Sequence, residues 1–462
     1  MTMAEDALRC DVVIIGCGPA GIFAALKLLE LAGGIDIVMV ERGFPLDERV
    51  RENDRNAGGW LSGWGGAGAF SDGKLTLTPE VGGMLSDIVG LARLEQLIEQ
   101  VDEVYVKHGA PKELSGTDAE QLAVLSDRAA RAGLKLVPMR IRHMGSDINR
   151  RVLGSLYDEL AGSVRIMFGK EARTLVVEDR VFKGVELADG QRIHADFGIV
   201  APGRAGAEWL QREFGRLNLR VENNAVDIGV RVEVPAVVTD EVTSVIHEAK
   251  LLYTSHHFDD RVRTFCMNPR GEVVEERLED IITVNGHSYK HRKTDRTNFA
   301  ILVSTQFTEP FHDPIAYGKS IARLANLIGG GVLVQRLGDL LVGRRSTHGR
   351  IAKNLIAPSL ESATPGDLSF VLPYRYLTDI LEMLEALDSF TPGVWQPHTL
   401  LYGVEVKFYS IRPKLTVELE SEVKNMFVVG DGAGVSRGLV QASASGLIAA
   451  EAIARRIQPS NR

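Results

Sequence analysis

The hydrophobic pattern of this chain opens with a short all-apolar run, Val12-Val13-Ile14-Ile15, which ends in Gly16-x-Gly18-x-x-Gly21 and passes into a helical pattern over 22–31. A second stretch over 35–40, apolar but for Asp36, ends in an acid, Glu41. Short apolar runs of this kind, bounded by glycines, predict strands. Helical spacing behind Ser146 predicts a capped helix over 146–161, and 164–168 reads as a strand entering the sheet. Alternation then takes over: 172–178, 181–187 and 191–193, with the turn Ala188-Asp189-Gly190, predict a β-meander. A buried strand at 197–200 runs into Ala201-Pro202-Gly203.

From about 223 to 390 the texture changes to longer β-rich pieces (227–234, 298–304) mixed with helical patterns over 314–328 and 376–387. This predicts a separate substrate-side domain. The last stretch returns to the opening character: a strand over 425–429, then Gly430-Asp431-Gly432-Ala433-Gly434, then an alanine-rich helix from about 438 to 457. No internal repeat or low-complexity linker divides these pieces, so the domains interleave along the chain.

The opening turn is a dinucleotide cradle. Gly16 permits the tight turn, Gly18 lets backbone approach a pyrophosphate with Pro19 and Ala20 beside it at the cofactor, and Gly21 lets the following helix over 22–31 pack on the strand with its N-terminus aimed at phosphate. Glu41, twenty residues after Gly21, can accept from both ribose hydroxyls and would repel a 2′-phosphate, so the pattern selects FAD or NAD over NADP. Arg42 falls on the adenosine side. At the far end Asp431 can bond a ribityl hydroxyl or a pyrophosphate-bound water, and the helix start at Gly438, Leu439 and Gln441 can offer N–H groups and a partial positive charge, worth about 1 kcal/mol, to a flavin N1/O2 edge. An NAD dehydrogenase has no need of that second Gly-Asp element.

Size and composition narrow the class. A chain of 462 residues predicts about two or three domains. Its 45% hydrophobic and 25% charged content is that of a soluble globular enzyme. No apolar run reaches the roughly 18 residues of a membrane span, and the run at 12–15 is too short for a signal peptide, so a cytoplasmic location is the expectation. A net charge of −8 gives nucleic-acid binding no support. The three cysteines, Cys10, Cys17 and Cys266, contain no CxxC, which leaves a disulfide framework, a zinc site and a dithiol pair without residues.

With both ends in view the chain resembles the two-dinucleotide-binding-domain flavoproteins, and more closely a family of bacterial FAD-dependent dehydrogenases distantly similar to geranylgeranyl reductases. The carrying motifs run from Gly65-Gly66-Ala67-Gly68-Ala69-Phe70-Ser71-Asp72-Gly73-Lys74-Leu75 through Cys266-Met267-Asn268-Pro269-Arg270-Gly271-Glu272, Val284-Asn285-Gly286-His287 and Gly403-Val404-Glu405-Val406-Lys407 to 430–441. Related sequences often read Cys-Met-Cys-Pro-Gly-Gly, so Asn268 and Arg270 are departures, and no second cysteine can be carried over. The resemblance implies an α/β fold: a Rossmann-like FAD-binding domain holding extended, non-covalent FAD, with a β-meander and an interleaved α+β substrate domain. The expected pieces are an FAD-binding part at 1–81, a helical insertion at 82–130, a second FAD-binding part at 131–222, the substrate domain at 223–390 and a third FAD-binding part at 391–462.

The same resemblance implies that Gly66, Ala67, Gly68 and Ser71 line the isoalloxazine, with Gly203 also at the cofactor. Lys74 is then either a donor to flavin N5 or to a substrate anion, or a solvated lysine. Cys266 stands beside Arg263 and Arg270, which could depress a thiol pKa, yet a buried inert cysteine fits as well. His287 and Tyr289 are the candidates to move a proton, with a structural histidine as the alternative. Arg344, Arg345, His348 and Arg350 form either an anion site for a carboxylate or phosphate or a solvated basic loop. Glu405 and Lys407 share a strand face and can pair beside the ring.

The expected protein is an FAD-dependent oxidoreductase, a dehydrogenase or reductase, passing a hydride between flavin N5 and a small organic, anionic or neutral substrate. The alternatives are a flavin monooxygenase and a non-enzymatic flavoprotein subunit with structural FAD. No second GxGxxG opens a nicotinamide domain, so NAD(P)H as donor has no dedicated domain. The acid of the closing loop is followed by Gly432-Ala433-Gly434 rather than the Ala-Ala-His of aromatic hydroxylases, which disfavours oxygen insertion.

Overall fold

The computed structural model describes residues 8–51, 61–71, 73–222, 225–278, 280–288, 293–305, 313–408 and 412–457. The chain forms two compact units. One comprises Met1–Glu113, Ile141–Asn223 and Ser410–Arg462; the other comprises Leu114–Arg140 and Asn224–Tyr409.

The first unit is built on a seven-stranded sheet. Leu8–Ile15 lies between two parallel partners, Ile37–Val40 and Arg192–Val200, with Ile15 in register with both Val40 and Val200. Arg165–Met167 extends one side in parallel, and Met426–Val428 joins the other side along the C-terminal half of Arg192–Val200. The N-terminal half of that long strand pairs antiparallel with Val181–Leu187, itself paired with Ala172–Glu178. This is the expected meander. The all-apolar strands are fully covered: Val12, Val13, Ile14, Val38 and Met39 have no exposed surface. Helix Pro19–Leu31 starts with proline in its first turn, where no N–H is missed, and packs against the closing helix Leu439–Ile457. Their approach is close enough that a Cβ on Gly446 would lie 2.1 Å from the Ala20 carbonyl oxygen.

The second unit is an eight-stranded sheet in the order Thr364–Pro365, Leu333–Arg336, Leu400–Lys407, Val226–Pro235, Arg296–Thr305, Arg261–Asn268, Lys250–Thr254 and Lys135–Val137. In its central strand Val226, Ile228, Val230, Val232 and Val234 enter one apolar core with Tyr376, Ile380, Met383, Leu384 and Leu387 of helix Tyr374–Phe390. The alternate positions Asp227, Arg231 and Glu233 point to the other face and are buried as well. A hairpin, Glu272–Leu278 with Ile281–His287, contributes Val273 and Val284 to a second, smaller cluster with Leu400 and Tyr402.

Several boundaries differ from expectation. The segment 391–409 does not join the first unit: Leu400–Lys407 is an inner strand of the second sheet, bonded on both edges, and main-chain pairing overrides the nearness in sequence of the closing element. The insertion expected at 82–130 is divided, with helix Leu91–Lys107 in the first unit and Ala119–Arg131 in the second. The helix expected from a Ser146 cap is Gly145–Ala161, with Met144 in the cap position and no side-chain cap bond.

Candidate functional site

The cradle is made of backbone. Gly16 has φ +104°, and a Cβ there would meet the Ala201 carbonyl oxygen at 2.2 Å; a Cβ on Gly21 would meet the Gly16 carbonyl oxygen at 2.1 Å. A Cβ on Gly18, in contrast, would project into open space above the start of the helix. Gly18 occupies the N-cap position without a side-chain cap, so the first-turn N–H groups are oriented for an external acceptor. Two glycines closed by protein and one open to a ligand is the pattern a pyrophosphate requires, and the residues present fit FAD.

Glu41 is 6% exposed, and its duties differ from the expected ones. Oε2 accepts from the Cys17 N–H at 2.8 Å, while Oε1 accepts from Gly43 N–H at 2.9 Å and Gly63 N–H at 2.8 Å. A carboxylate offers about four acceptor positions, so this one ties three backbone segments together and keeps about one for a ribose hydroxyl, rather than serving both hydroxyls outright. Burial first, and then Glu41, push the Cys17 thiol well above its ordinary range, which leaves it a small protonated residue in the turn. Arg42 donates to Ser62 Oγ at 2.8 Å.

The glycine motif at 65–71 forms a 3-10 turn, Gly66–Phe70. Gly65 N–H donates to the Cys17 carbonyl at 2.8 Å. A Cβ on Gly66 would lie 3.2 Å from Gly18 Cα, and one on Gly68 would lie 2.5 Å from Leu439 Cδ2 and 3.7 Å from Pro19 Cγ. The turn therefore sits between the cradle and the start of the closing helix, whose first intrahelical bond is Ala442 N–H to Gly438 O. Ser71 Oγ donates to the Gly68 carbonyl at 2.8 Å. Beneath the same helix, Asp431 accepts from Ser436 Oγ at 2.7 Å, Gly430 abuts Ala20, and a Cβ on Gly432 would lie 2.5 Å from the Gly203 carbonyl oxygen. The Gln441 side-chain amide donates to the carbonyls of Val81 at 2.9 Å and Pro79 at 3.3 Å, holding a neighbouring loop. Lys74 is half-buried and opens the short strand Lys74–Thr76, in register with His143.

In the second unit three of the motif segments converge. Arg231, with no exposed surface, donates Nε to Glu405 Oε2 at 2.8 Å and Nη2 to Glu405 Oε1 at 2.9 Å, a bidentate fork. Its Nη1 donates to Asn298 Oδ1 at 2.8 Å and to the Cys266 carbonyl at 3.1 Å. Asn268 also donates to that carbonyl, at 2.8 Å, and Cys266 itself holds φ +44° at a bulge in its strand. Lys407, 14% exposed, contacts Glu276 at 3.0 Å and Glu405 at 3.3 Å, and Asn285 Nδ2 donates to Glu276 Oε2 at 3.1 Å. Burial alone would lower the Lys407 ammonium, but Glu405 and Glu276 outweigh it and hold the pKa above the ordinary lysine value. Gly286 belongs to the same cluster, because a Cβ there would strike Asn298 Oδ1, Arg231 Nη1 and Asn268 Nδ2 at 2.1 to 2.3 Å. His287 ends that hairpin strand opposite Glu272 and is half-buried; Tyr289 lies outside the described residues.

The arginine loop is arranged otherwise than expected for an anion site. Fully buried Asp339 receives Arg344 Nε at 2.8 Å and Ser346 Oγ at 2.8 Å, with Arg350 Nε at 3.7 Å. An internal carboxylate thus takes the place of an external anion. Arg345 and His348 are exposed. Sequence reasoning missed Arg49, Asn149 and Arg231. Only Arg231 left a signal, as one of three charged residues on a ten-residue strand otherwise rich in valine.

Comparison with known proteins places these features. Residues 11–227 match the family model of an FAD binding domain, 225–408 that of an FAD-dependent protein, C-terminal domain-like, and 360–461 that of glucose inhibited division protein A. An uncharacterized protein of Clostridium beijerinckii is 27% identical over 487 residues, covering 97% of this chain and 81% of that protein. Among solved structures, glycine oxidase from Geobacillus kaustophilus is 13% identical with a TM-score of 0.41, covering 97% of this chain and 95% of that one. L-proline dehydrogenase from P. horikoshii is 10% identical with a TM-score of 0.42, covering 98% and 94%.

Proposed function

We propose that this chain, an FAD-dependent oxidoreductase with a Rossmann-like FAD-binding domain and with no helix among its described residues long and apolar enough to cross a membrane, is a dehydrogenase or reductase acting on a small organic substrate, with the distant kinship to geranylgeranyl reductases resting on the sequence motifs alone. FAD, when bound, supplies hydride acceptance and donation at N5. Gly16, Gly18 and Gly21 would seat the pyrophosphate, Glu41 would take one ribose hydroxyl while tying the turn, and Asp431, which accepts from Ser436, would hold a ribityl hydroxyl or a pyrophosphate-bound water.

The observation that carries the substrate side is the convergence of Cys266, Asn285, Gly286, Glu405 and Lys407 on one hydrogen-bonded network. His287, next to Gly286, is assigned the proton transfer. Arg344 and Arg350 are turned to Asp339, and Lys407 to Glu276 and Glu405, so the substrate is read as neutral.

Heat denaturation of the purified protein is expected to release FAD; release of FMN alone would overturn the cofactor assignment. In anaerobic stopped-flow measurement of flavin reduction, His287→Ala should slow the reaction by about 100-fold at saturating substrate, the usual range for a general acid or base. A wild-type rate in that variant would remove histidine from the chemistry.

A further inference from the structure

The 3-10 turn Gly66–Phe70 carries almost no side chain with which to hold itself, yet it lies between the two elements that grip the cofactor. What fixes it comes from outside. Asn149, on helix Gly145–Ala161 and 2% exposed, donates Nδ2 to the Gly68 carbonyl at 2.8 Å, with the Ala69 carbonyl at 3.5 Å. Arg49, on helix Leu46–Arg51 and 6% exposed, donates Nη1 to the Trp64 carbonyl at 2.6 Å and Nη2 to the Gly66 carbonyl at 3.1 Å. Its guanidinium lies 4.8 Å from the Phe70 ring centroid, at the other end of the turn. Burial pulls the Arg49 pKa down to about 10, with Glu41 acting the other way, so the group remains a cation.

We propose that Asn149 and Arg49 are positioning residues for FAD: they draw the carbonyls of the glycine turn back into the protein and so fix the surface the turn presents to the flavin. The proposal rests on the FAD reading given above. The two grips divide the cofactor between them. Asn149 holds Gly68, the residue packed on Leu439 at the start of the closing helix, whereas Arg49 holds Gly66, the residue packed on Gly18 in the pyrophosphate cradle. Asn149 therefore acts at the ring end and Arg49 at the diphosphate end. The space for the Arg49 stem comes from Gly63, where a Cβ would lie 2.5 Å from Arg49 Cδ, and Gly63 N–H is one of the three donors to Glu41. The Glu41 knot and the Arg49 grip are therefore one unit.

The test titrates FAD, and separately ADP, into deflavinated wild-type, Asn149→Ala, Asn149→Leu and Arg49→Lys proteins, with the thermal midpoint of each apoprotein measured alongside. Both Asn149 variants are expected to bind FAD about tenfold more weakly, the effect of one well-placed hydrogen bond, with ADP affinity within twofold of wild type. Asn149→Leu nearly preserves volume and guards against a folding failure of the alanine variant. Arg49→Lys keeps the charge but loses the fork, and should weaken FAD and ADP equally, by about tenfold. Wild-type FAD affinity in the Asn149 variants, or equal loss of FAD and ADP in them, overturns the proposal. Failure of wild-type protein to bind FAD would instead overturn the cofactor assignment itself.

Discussion

The nucleotide cradle and the Arg231 network solve the same problem, holding polar groups away from water, with opposite materials. The cradle is built from backbone amides and carbonyls at glycines, and its one buried acid, Glu41, is satisfied by three N–H groups within 46 residues of one another, Cys17, Gly43 and Gly63. The network is built from side chains, and its buried acid, Glu405, is satisfied by an arginine 174 positions away. A backbone site needs particular residues at fixed local spacing. A side-chain site needs only that distant strands come into register.

The contrast is sharpest where a charge is removed. Arg231→Met leaves Glu405 buried with Lys407 as its only cation among the described residues, and the second unit should lose about 3–5 kcal/mol of unfolding free energy, measured by urea titration. The double variant Arg231→Met, Glu405→Leu should recover most of that loss, because two apolar chains need no partner. A single variant within about 1 kcal/mol of wild type would show that the network is not held by its charges.

A second acid of the same unit tests whether every buried carboxylate there is so well served. Asp379 has no exposed surface, and burial, joined by the nearby Asp260 carboxylate against the help of Ser255, pushes its pKa up from 3.8 to about 6. A folded pKa above the ordinary value means that ionisation costs stability, so stability falls as pH rises from about 4 through 6 and stays lower above. The shift corresponds to at most about 3 kcal/mol. Asp379→Asn should remove that step, seen as a stability difference from wild type that grows between pH 4.5 and 7.5. A difference independent of pH would place the proton elsewhere.

The smallest effect belongs to the arginine loop. Arg345 is exposed and meets Arg350 only through its own carbonyl, so Arg345→Ala should cost less than about 0.5 kcal/mol and leave FAD content and substrate KM unchanged. A severalfold rise in KM for an acidic substrate would restore the anion site.

These differences follow what the residues disclose one at a time. Gly16, Gly18, Gly21 and Glu41 can be read from spacing, because each position has a steric or electrostatic need that few other residues meet. Glu41's internal partners could not be read, since Gly63 reaches it only through the fold. Val226–Pro235 could be read as a strand but not as to its burial: apolar and charged residues alternate as in a strand with one wet face, yet Asp227, Arg231 and Glu233 are buried. In the Arg344–Arg350 loop the acid that neutralises it, Asp339, precedes the run of basic residues and lies in the short helix Leu337–Leu341, outside the motif itself.

The tight crossing of the opening and closing helices, where Gly446 presses on Ala20, has a consequence for synthesis. The two contacts are more than 400 residues apart, so this crossing cannot form until almost all of the intervening polypeptide has left the ribosome. At about 5–20 residues per second that wait lasts roughly 20 to 80 seconds. Throughout it, Ala20 and Ala24 of the opening helix have no closing helix to cover them, and the cofactor meets only half of its seat. Flavin loading is therefore expected to be a late, post-translational event, and a nascent chain halted before residue 439 should emerge without colour.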